Sequence, residues 1–267
     1  MISKIQLFFF LSLTVTIQGA RRYPHKLIFG GSEVKPEFSY PWMGYIYVKD
    51  GNGVHDLCGC SLLDQETVLT AAHCITKRAK PASYKIHFHR HNLTKDSREE
   101  QGEIVDVQQI IVHPDWSKRL LTNDFAVLKL ANASRFTSFP TLDTGEALNT
   151  EVAVKALGWG LGYDFLPHNT LQMVDMEILP DSVCLKDHTS SLPTFDPKYA
   201  ICSGTYKGGK NVCFGDSGGP LIVQKNGANV LVGVTSYGAN CSPRVPGVFA
   251  RVSSQVKWIR SLMKSTS

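Results

Sequence analysis

Gly215-Asp216-Ser217-Gly218-Gly219-Pro220 decides how the rest of the chain is read. A serine set among glycines has little side-chain crowding, so a carbonyl can approach it closely. Nearby backbone N–H groups are then free to face a developing oxyanion. The string also fits G-x-S-x-G, the nucleophile elbow of α/β hydrolases, which needs an acid and then a histidine downstream of the serine. After Ser217 there is no histidine, aspartate or glutamate, and the last histidine is His188. The elbow therefore fails on chain order.

The order that remains is histidine, aspartate, serine. Upstream lie Thr70-Ala71-Ala72-His73-Cys74 and Asn123-Asp124-Phe125-Ala126-Val127-Leu128. Alone, His73 reads as a buried structural residue and Asp124 as the polar opening of an apolar strand. Here a cysteine pins the backbone of His73, and the three strings in this order are hard to obtain by accident.

Around these strings the chain alternates short β-branched or alternating stretches with turns. The stretches are 84–89, 103–112, 125–130, 151–157, 171–179 and 230–234. The turns include Asp50-Gly51-Asn52-Gly53, Asn226-Gly227 and Pro246-Gly247. Many short strands with turn signals predict an all-β sandwich or barrel. One helix is expected at the end, capped by Ser253 or Ser254, with Val252, Val256, Ile259 and Met263 on one face.

The 267 residues are 43% hydrophobic and 19% charged, a globular composition that excludes disorder and collagen-like structure. Lys4 followed by the apolar run 5–17 and Gly19-Ala20 reads as a secretory signal over 1–20. The run is too short to span a bilayer comfortably, so no membrane association is expected once it is removed. The formal charge of +5 falls to +4 without Lys4 and to +1 without Arg21, Arg22 and Lys26. A nucleic-acid partner thereby loses its main support.

Seven cysteines, at 58, 60, 74, 184, 202, 213 and 241, should oxidise in a secreted chain, and an odd number leaves at least one without a partner inside it. No pair has zinc-finger spacing. Asn92-Leu93-Thr94 and Asn132-Ala133-Ser134 are glycosylation acceptors.

Taken together the chain resembles the trypsin/chymotrypsin-like secreted serine endopeptidases from Ile28 almost to its end. The resemblance rests on the strings above and on Ile28-Phe29-Gly30-Gly31, Pro41-Trp42, Gly158-Trp159-Gly160, Ser236-Tyr237-Gly238 and Pro246-Gly247-Val248-Phe249. It implies an all-β fold of two packed six-stranded antiparallel β-barrels with a C-terminal helix. It divides the chain into a signal peptide (1–20), a short activation propeptide (21–27) and a protease domain (28–267). It implies that Ser217 attacks the scissile carbonyl, His73 moves the proton and Asp124 holds the imidazole. The N–H groups of Gly215 and Ser217 would form the oxyanion hole. Ser236, Tyr237 and Gly238 would pair with substrate backbone, with Leu121 lining the adjacent subsite. The pairings implied are Cys58–Cys74, Cys184–Cys202 and Cys213–Cys241. Val154 and Val223 stand where many relatives carry a further bridge. Cys60 is left either as a buried thiol, as an intermolecular bridge, or as a swapped partner for Cys74.

Departures from the family pattern carry their own expectations. Leu27 separates Lys26 from Ile28, so the activating cut follows either Lys26 or Leu27; an N-terminal Ile28 would pair with Asp216. Asn211 stands where trypsin-like relatives carry a pocket aspartate. Gly238 and Gly247 keep the walls open, Val212 and Phe249 make them apolar, and Phe214 sits at the rim. Cleavage after large uncharged residues follows. The seventeen residues between Cys184 and Cys202 are expected as a surface loop near the pocket. His87, His89 and His91 would share one strand face, read as solvated rather than metal-binding. The stretch 96–103 lies where some relatives bind calcium, but Gly102 stands in place of an acid. No metal or cofactor is expected. The expected partners are protein or peptide substrates and proteinaceous protease inhibitors, for a monomer acting outside the cell. The rival reading is a non-catalytic binding module on the same fold.

Overall fold

The computed structural model describes residues 30–50, 53–76, 79–146, 152–162, 166–188, 194–238, 241–242 and 244–264. The expected signal and propeptide segments, and with them Ile28, lie outside the described residues.

A short strand, β1 (Ser32–Glu33), precedes six strands that close on themselves: β2 (Met43–Asp50), β3 (Gly53–Asp64), β4 (Thr67–Thr70), β5 (Tyr84–Phe88), β6 (Glu103–Val112) and β7 (Ala126–Leu130). Their order around the barrel is β2-β3-β4-β7-β6-β5, all antiparallel. Inward residues such as Ile46, Val48, Leu62, Val68, Ile86 and Leu128 are fully buried. A closed barrel leaves no edge strand to aggregate.

The second half holds β8 (Thr141–Leu142), β9 (Ala153–Gly158), β10 (Gln172–Ile178), α1 (Asp181–Asp187), β11 (Ala200–Gly204), β12 (Pro220–Lys225), β13 (Ala228–Tyr237), β14 (Gly247–Arg251) and α2 (Val252–Leu262). The antiparallel order β10-β11-β14-β13-β12-β9 closes because β9 also pairs with β10 from Gly158↔Gln172 to Ala153↔Glu177. Strands β1 and β8 attach outside this ring. β10 alternates buried and more exposed residues along its length, the period of a strand with one face in a core. Asn226 (φ 52°) and Gly227 (φ 78°) turn β12 into β13, both with the positive φ of a two-residue type I′ hairpin turn. The fold is thus two six-stranded antiparallel barrels with a helix at the end.

The last helix starts at Val252 with Arg251 at its N-cap, two or three residues earlier than Ser253 or Ser254 would set it. Neither serine caps it: Ser254 Oγ donates back to the carbonyl of Arg251 at 2.7 Å. Val252 and Ile259 are buried in the apolar cluster that also holds Val68, Leu128 and Leu231, and Val256 and Met263 pack beside them. The segment after Cys184 is helical through Asp187, and residues 189–193 lie outside the described part. Three disulfides join Cys58–Cys74, Cys184–Cys202 and Cys213–Cys241. Cys60 is free and buried, so neither alternative pairing describes it. Val154 and Val223 are buried in one apolar cluster. Among the described residues no helix is long and apolar enough to cross a membrane.

Candidate active site

The site lies in the seam between the barrels. His73 stands in a single 3-10 turn, Ala72–Cys74, held by the Cys58–Cys74 bridge. Asp124 immediately precedes Phe125 and β7, is fully buried, and accepts three hydrogen bonds. The His73 backbone N–H donates to Oδ1 at 2.9 Å, and the His73 ring at Nδ1 donates to Oδ2 at 2.7 Å. Ser236 Oγ donates to the same Oδ2 at 2.5 Å. Because a carboxylate can only accept, the Nδ1 contact carries the proton, and a neutral His73 ring keeps its lone pair on Nε2. The Ser236 hydroxyl is the contributor that sequence reading missed. In the string Ser236-Tyr237-Gly238 the sequence points to its backbone, and its side-chain partner lies 112 residues earlier.

Ser217 precedes β12 and is clamped across the seam. Its carbonyl accepts from Gly59 N–H of β3 at 2.8 Å, and the Gly59 carbonyl accepts from Thr70 Oγ1 at 2.9 Å. Gly218 has φ 74°, and a Cβ there would lie 2.2 Å from Thr70 Oγ1 and 2.5 Å from Gly59 O, so the close approach excludes any side chain. Ser217 and His73 line one pocket of about 320 Å³, but no hydrogen bond joins them in this structure. Among the described residues, the N–H groups of Gly215 and Ser217 also have no hydrogen-bond partner. Two unspent donors beside a serine, with a ring lone pair across the pocket, make an arrangement that can stabilise an oxyanion and accept a proton.

Asp216, between these donors, is wholly buried. It accepts only backbone N–H groups, from Gly160 at 2.9 Å and Cys213 at 2.8 Å, and no cation pairs with it among the described residues. Burial pushes its carboxyl up to about 6.

Val212, Cys213, Phe214, Thr235, Ser236, Tyr237, Gly238 and Cys241 complete the pocket lining. Asn211 and Gly247 are buried and are not among the lining residues; a Cβ on Gly247 would meet Asn211 Oδ1 at 2.6 Å and Val212 at 3.1 Å. The Asn211 amide N–H groups donate to the carbonyls of Ser242 and Val245, both at 2.8 Å, and its Oδ1 accepts from Val212 N–H at 2.9 Å. Its polar atoms are thus already engaged by the chain. Phe249 is fully buried in the apolar cluster of Val154 and Val223 and is not among the lining residues, nor is Leu121. Phe214 stands 61% exposed at the rim.

The remaining candidates fall elsewhere. His87, His89 and His91 do not share a face, because β5 ends at Phe88 and His89 takes φ 55°. His89 is stacked between Phe38 (4.3 Å) and Phe136 (5.1 Å), and His91 is buried with Nε2 2.8 Å from Glu33. Arg90 is buried in the loop 92–100. Its guanidinium donates to Glu100 at 2.7 Å and to the carbonyls of Asn92 (3.1 Å) and Lys95 (2.6 Å). Burial would raise the Glu100 carboxyl, but Arg90 and the N–H groups of Asn92 and His91 hold it below its ordinary value. Asn92 is half-buried, with Oδ1 accepting from Thr94 Oγ1 at 2.7 Å; Asn132 is exposed.

Comparison with known proteins places this geometry in context. Residues 28–259 match the family model described as Trypsin. The chain is 33% identical over 242 residues to duodenase-1 of Bos taurus, covering 89% of each protein. It is 32% identical over 232 residues to ovochymase of Halocynthia roretzi, covering 83% of this chain and 14% of that one.

Proposed function

The chain belongs to the trypsin family of serine proteases, and from that premise we propose that it is a secreted serine endopeptidase. It acts on protein substrates by an acyl-enzyme route, cleaving after large uncharged residues. The observation that carries the reading is the set of contacts on Asp124: it holds the His73 ring with the lone pair on Nε2, facing the pocket that Ser217 lines. In this reading Ser217 Oγ attacks the carbonyl carbon and its proton passes to His73 Nε2. The N–H groups of Gly215 and Ser217 donate to the resulting oxyanion. The carbonyl then re-forms as the C–N bond breaks, and His73 returns the proton to the leaving amine. Water repeats the sequence on the ester and regenerates Ser217.

The side-chain preference follows from Asn211. Its amide is spent on two carbonyls and one N–H, so a guanidinium or ammonium entering the pocket would lose its water and gain no counter-charge. Large apolar side chains meet Val212, the Cys213–Cys241 bridge and the open Gly238. Maturation is part of the proposal: loss of 1–20, then of 21–27, leaves Ile28 as an N-terminal ammonium for Asp216. A buried carboxyl whose partners among the described residues are two backbone N–H groups supports this, since a cation would relieve its desolvation.

An active-site-directed fluorophosphonate tests the reading. It should label Ser217 in the mature protein and leave Ser217→Ala unlabelled. A mature, folded protein that takes no label would be a binding module instead.

A further inference from the structure

His91 follows strand β5 of the first barrel and is buried, yet its ring meets carboxylates from a segment that begins 58 residues earlier. Nε2 lies 2.8 Å from Glu33 Oε1 and 3.8 Å from Glu37 Oε1, and the ligand atoms of the three residues all fall within 4.8 Å of one another. The imidazole is held from behind. Its backbone N–H donates to Glu100 at 3.2 Å, and its carbonyl accepts from Trp159 Nε1 at 3.1 Å and from Leu171 N–H at 2.7 Å. Phe38 packs edge-on against the ring at 5.9 Å. Nδ1 has no hydrogen-bond partner among the described residues, so the engaged ring nitrogen is the one aimed at the two carboxylates. The His91 hydrogen bond outweighs the effect of burial and, with Lys35, holds the Glu33 carboxyl below its ordinary value, so it stands as an anion.

A cation already stands between the carboxylates. Lys35 Nζ lies 3.1 Å from Glu33 and 3.2 Å from Glu37. Its side chain is 59% exposed and can swing into solvent at little cost, since surface ion pairs contribute little. The donor separations suit a smaller, divalent ion. Donors about 2.1 Å from a tetrahedral zinc stand about 3.4 Å apart, which falls between the two distances from Nε2. The glutamate side chains are partly exposed, which leaves a fourth position to solvent. One imidazole with two carboxylates is a zinc-type donor set, whereas calcium takes about six to eight oxygens.

We propose that Glu33, Glu37 and His91 form a zinc site, with Lys35 as the built-in cation that zinc displaces. Zinc takes the Nε2 lone pair once the ring proton has moved to Nδ1. Nδ1 then carries that proton without an acceptor, which sets the expected affinity in the micromolar range. The site shares no residue with the pocket that His73 and Ser217 line, and its occupancy does not depend on the endopeptidase reading. Its consequence is mechanical. Strand β1 pairs with β10 of the second barrel, Glu33 opposite Gln172, whereas His91 leaves the first barrel after β5. The metal pins one to the other.

Calorimetric titration of zinc chloride into the mature full-length Ser217→Ala protein tests this, the substitution preventing self-digestion. Zinc should bind with micromolar affinity, and the thermal midpoint should rise by about 3–6 °C at a tenfold excess over Kd. Co²⁺ in its place should show the visible absorption of a four-coordinate centre. Glu33→Gln and Glu37→Gln should each weaken binding roughly tenfold or more, at least the effect of losing a residue that only orients a ligand. Lys35→Ala should tighten binding about threefold to tenfold, because the competing ammonium is gone. That opposite sign marks the site, since zinc held by His73 would respond to none of the three changes. Lys35→Ala, at an exposed side chain, decides the matter if a glutamine variant fails to fold. Binding that all three variants leave unchanged overturns the proposal, as does the absence of binding below about 1 mM zinc. Calcium binding as tightly as zinc overturns it too.

Discussion

Gln255 in α2 donates from Nε2 to Oδ1 of Asn123 at 2.7 Å, tying the C-terminal helix to the residue before Asp124. The bond belongs to a ring whose direction is settled by its members. Asp115 N–H donates to His113 Nδ1 at 3.1 Å, so His113 carries its proton on Nε2 and donates to Gln255 Oε1 at 3.0 Å. Gln255 must then turn its amide nitrogen to Asn123, and Asn123 turns its own to the carbonyl of Asp115 at 3.1 Å. Asn123 sits at φ 54°, a backbone conformation that needs such support.

Gln255→Ala should therefore act through Asp124. We expect kcat to fall about threefold to tenfold with little change in KM, because small displacements of a proton-transfer group are costly. Stability should fall by about 1 kcal/mol. Gln255→Glu should not restore the rate, since its second oxygen faces the Asn123 oxygen. Steady-state kinetics on a peptide ester check this; unchanged kcat in both variants would remove the helix from the mechanism.

In the uncut chain Asp216 should destabilise the fold as pH rises. Its folded value of about 6 lies above the ordinary 3.8, so the folded state binds the proton more tightly. Stability should drop between about pH 4 and 6, by an order of 3 kcal/mol at most. Urea midpoints of the Ser217→Ala precursor, with and without Asp216→Asn, isolate that slope. After maturation the new ammonium should abolish it, and a slope that persists would argue against the ion pair.

Replacing Asn211 with aspartate should not produce a trypsin-like pocket. The carboxylate would lose two donated hydrogen bonds and face the carbonyls of Ser242 and Val245. We expect a loss of about 2–4 kcal/mol of stability. Cleavage after Arg should rise from its low starting level but stay below cleavage after Phe. A peptide library with every residue before the scissile bond decides it; Arg overtaking Phe would contradict this account.

Arg90 and Glu100 form a buried ion pair inside the loop 92–100, their side chains 6% and 2% exposed. Arg90→Met leaves a buried carboxylate without its cation and should cost about 3–5 kcal/mol. Adding Glu100→Gln to that variant should recover part of the loss. Denaturation midpoints of the two variants read the difference, and a single variant as stable as the parent would refute the role.

Cys60 should be chemically silent in the folded protein. Burial removes the thiol from solvent and pushes its ionisation far above the ordinary range, so little thiolate exists at pH 8. Iodoacetamide should modify no thiol before denaturation and one afterwards. Native-state labelling at Cys60 would show that this part of the barrel opens.

Much of this protein was legible in the residues themselves. The strand stretches declared themselves by alternation, because a residue's face on a strand is set by its parity. The Gly215–Pro220 string and the strings around His73 and Asp124 declared a reaction centre, because close backbone approach and chain order leave few alternatives. What the sequence could not determine was orientation at long range. Asn211 was visible as an uncharged residue, but its acceptors lie 31 and 34 residues onward, so only the folded loop shows that its amide is already spent. The alternation of His87, His89 and His91 pointed to one face until the left-handed backbone at His89 ended the strand. The partnership of Gln255 with Asn123 spans 132 residues, and that of Ser236 with Asp124 spans 112. A side chain's rotamer and partner are fixed by atoms brought close in space, and that closeness arises only when both barrels have closed.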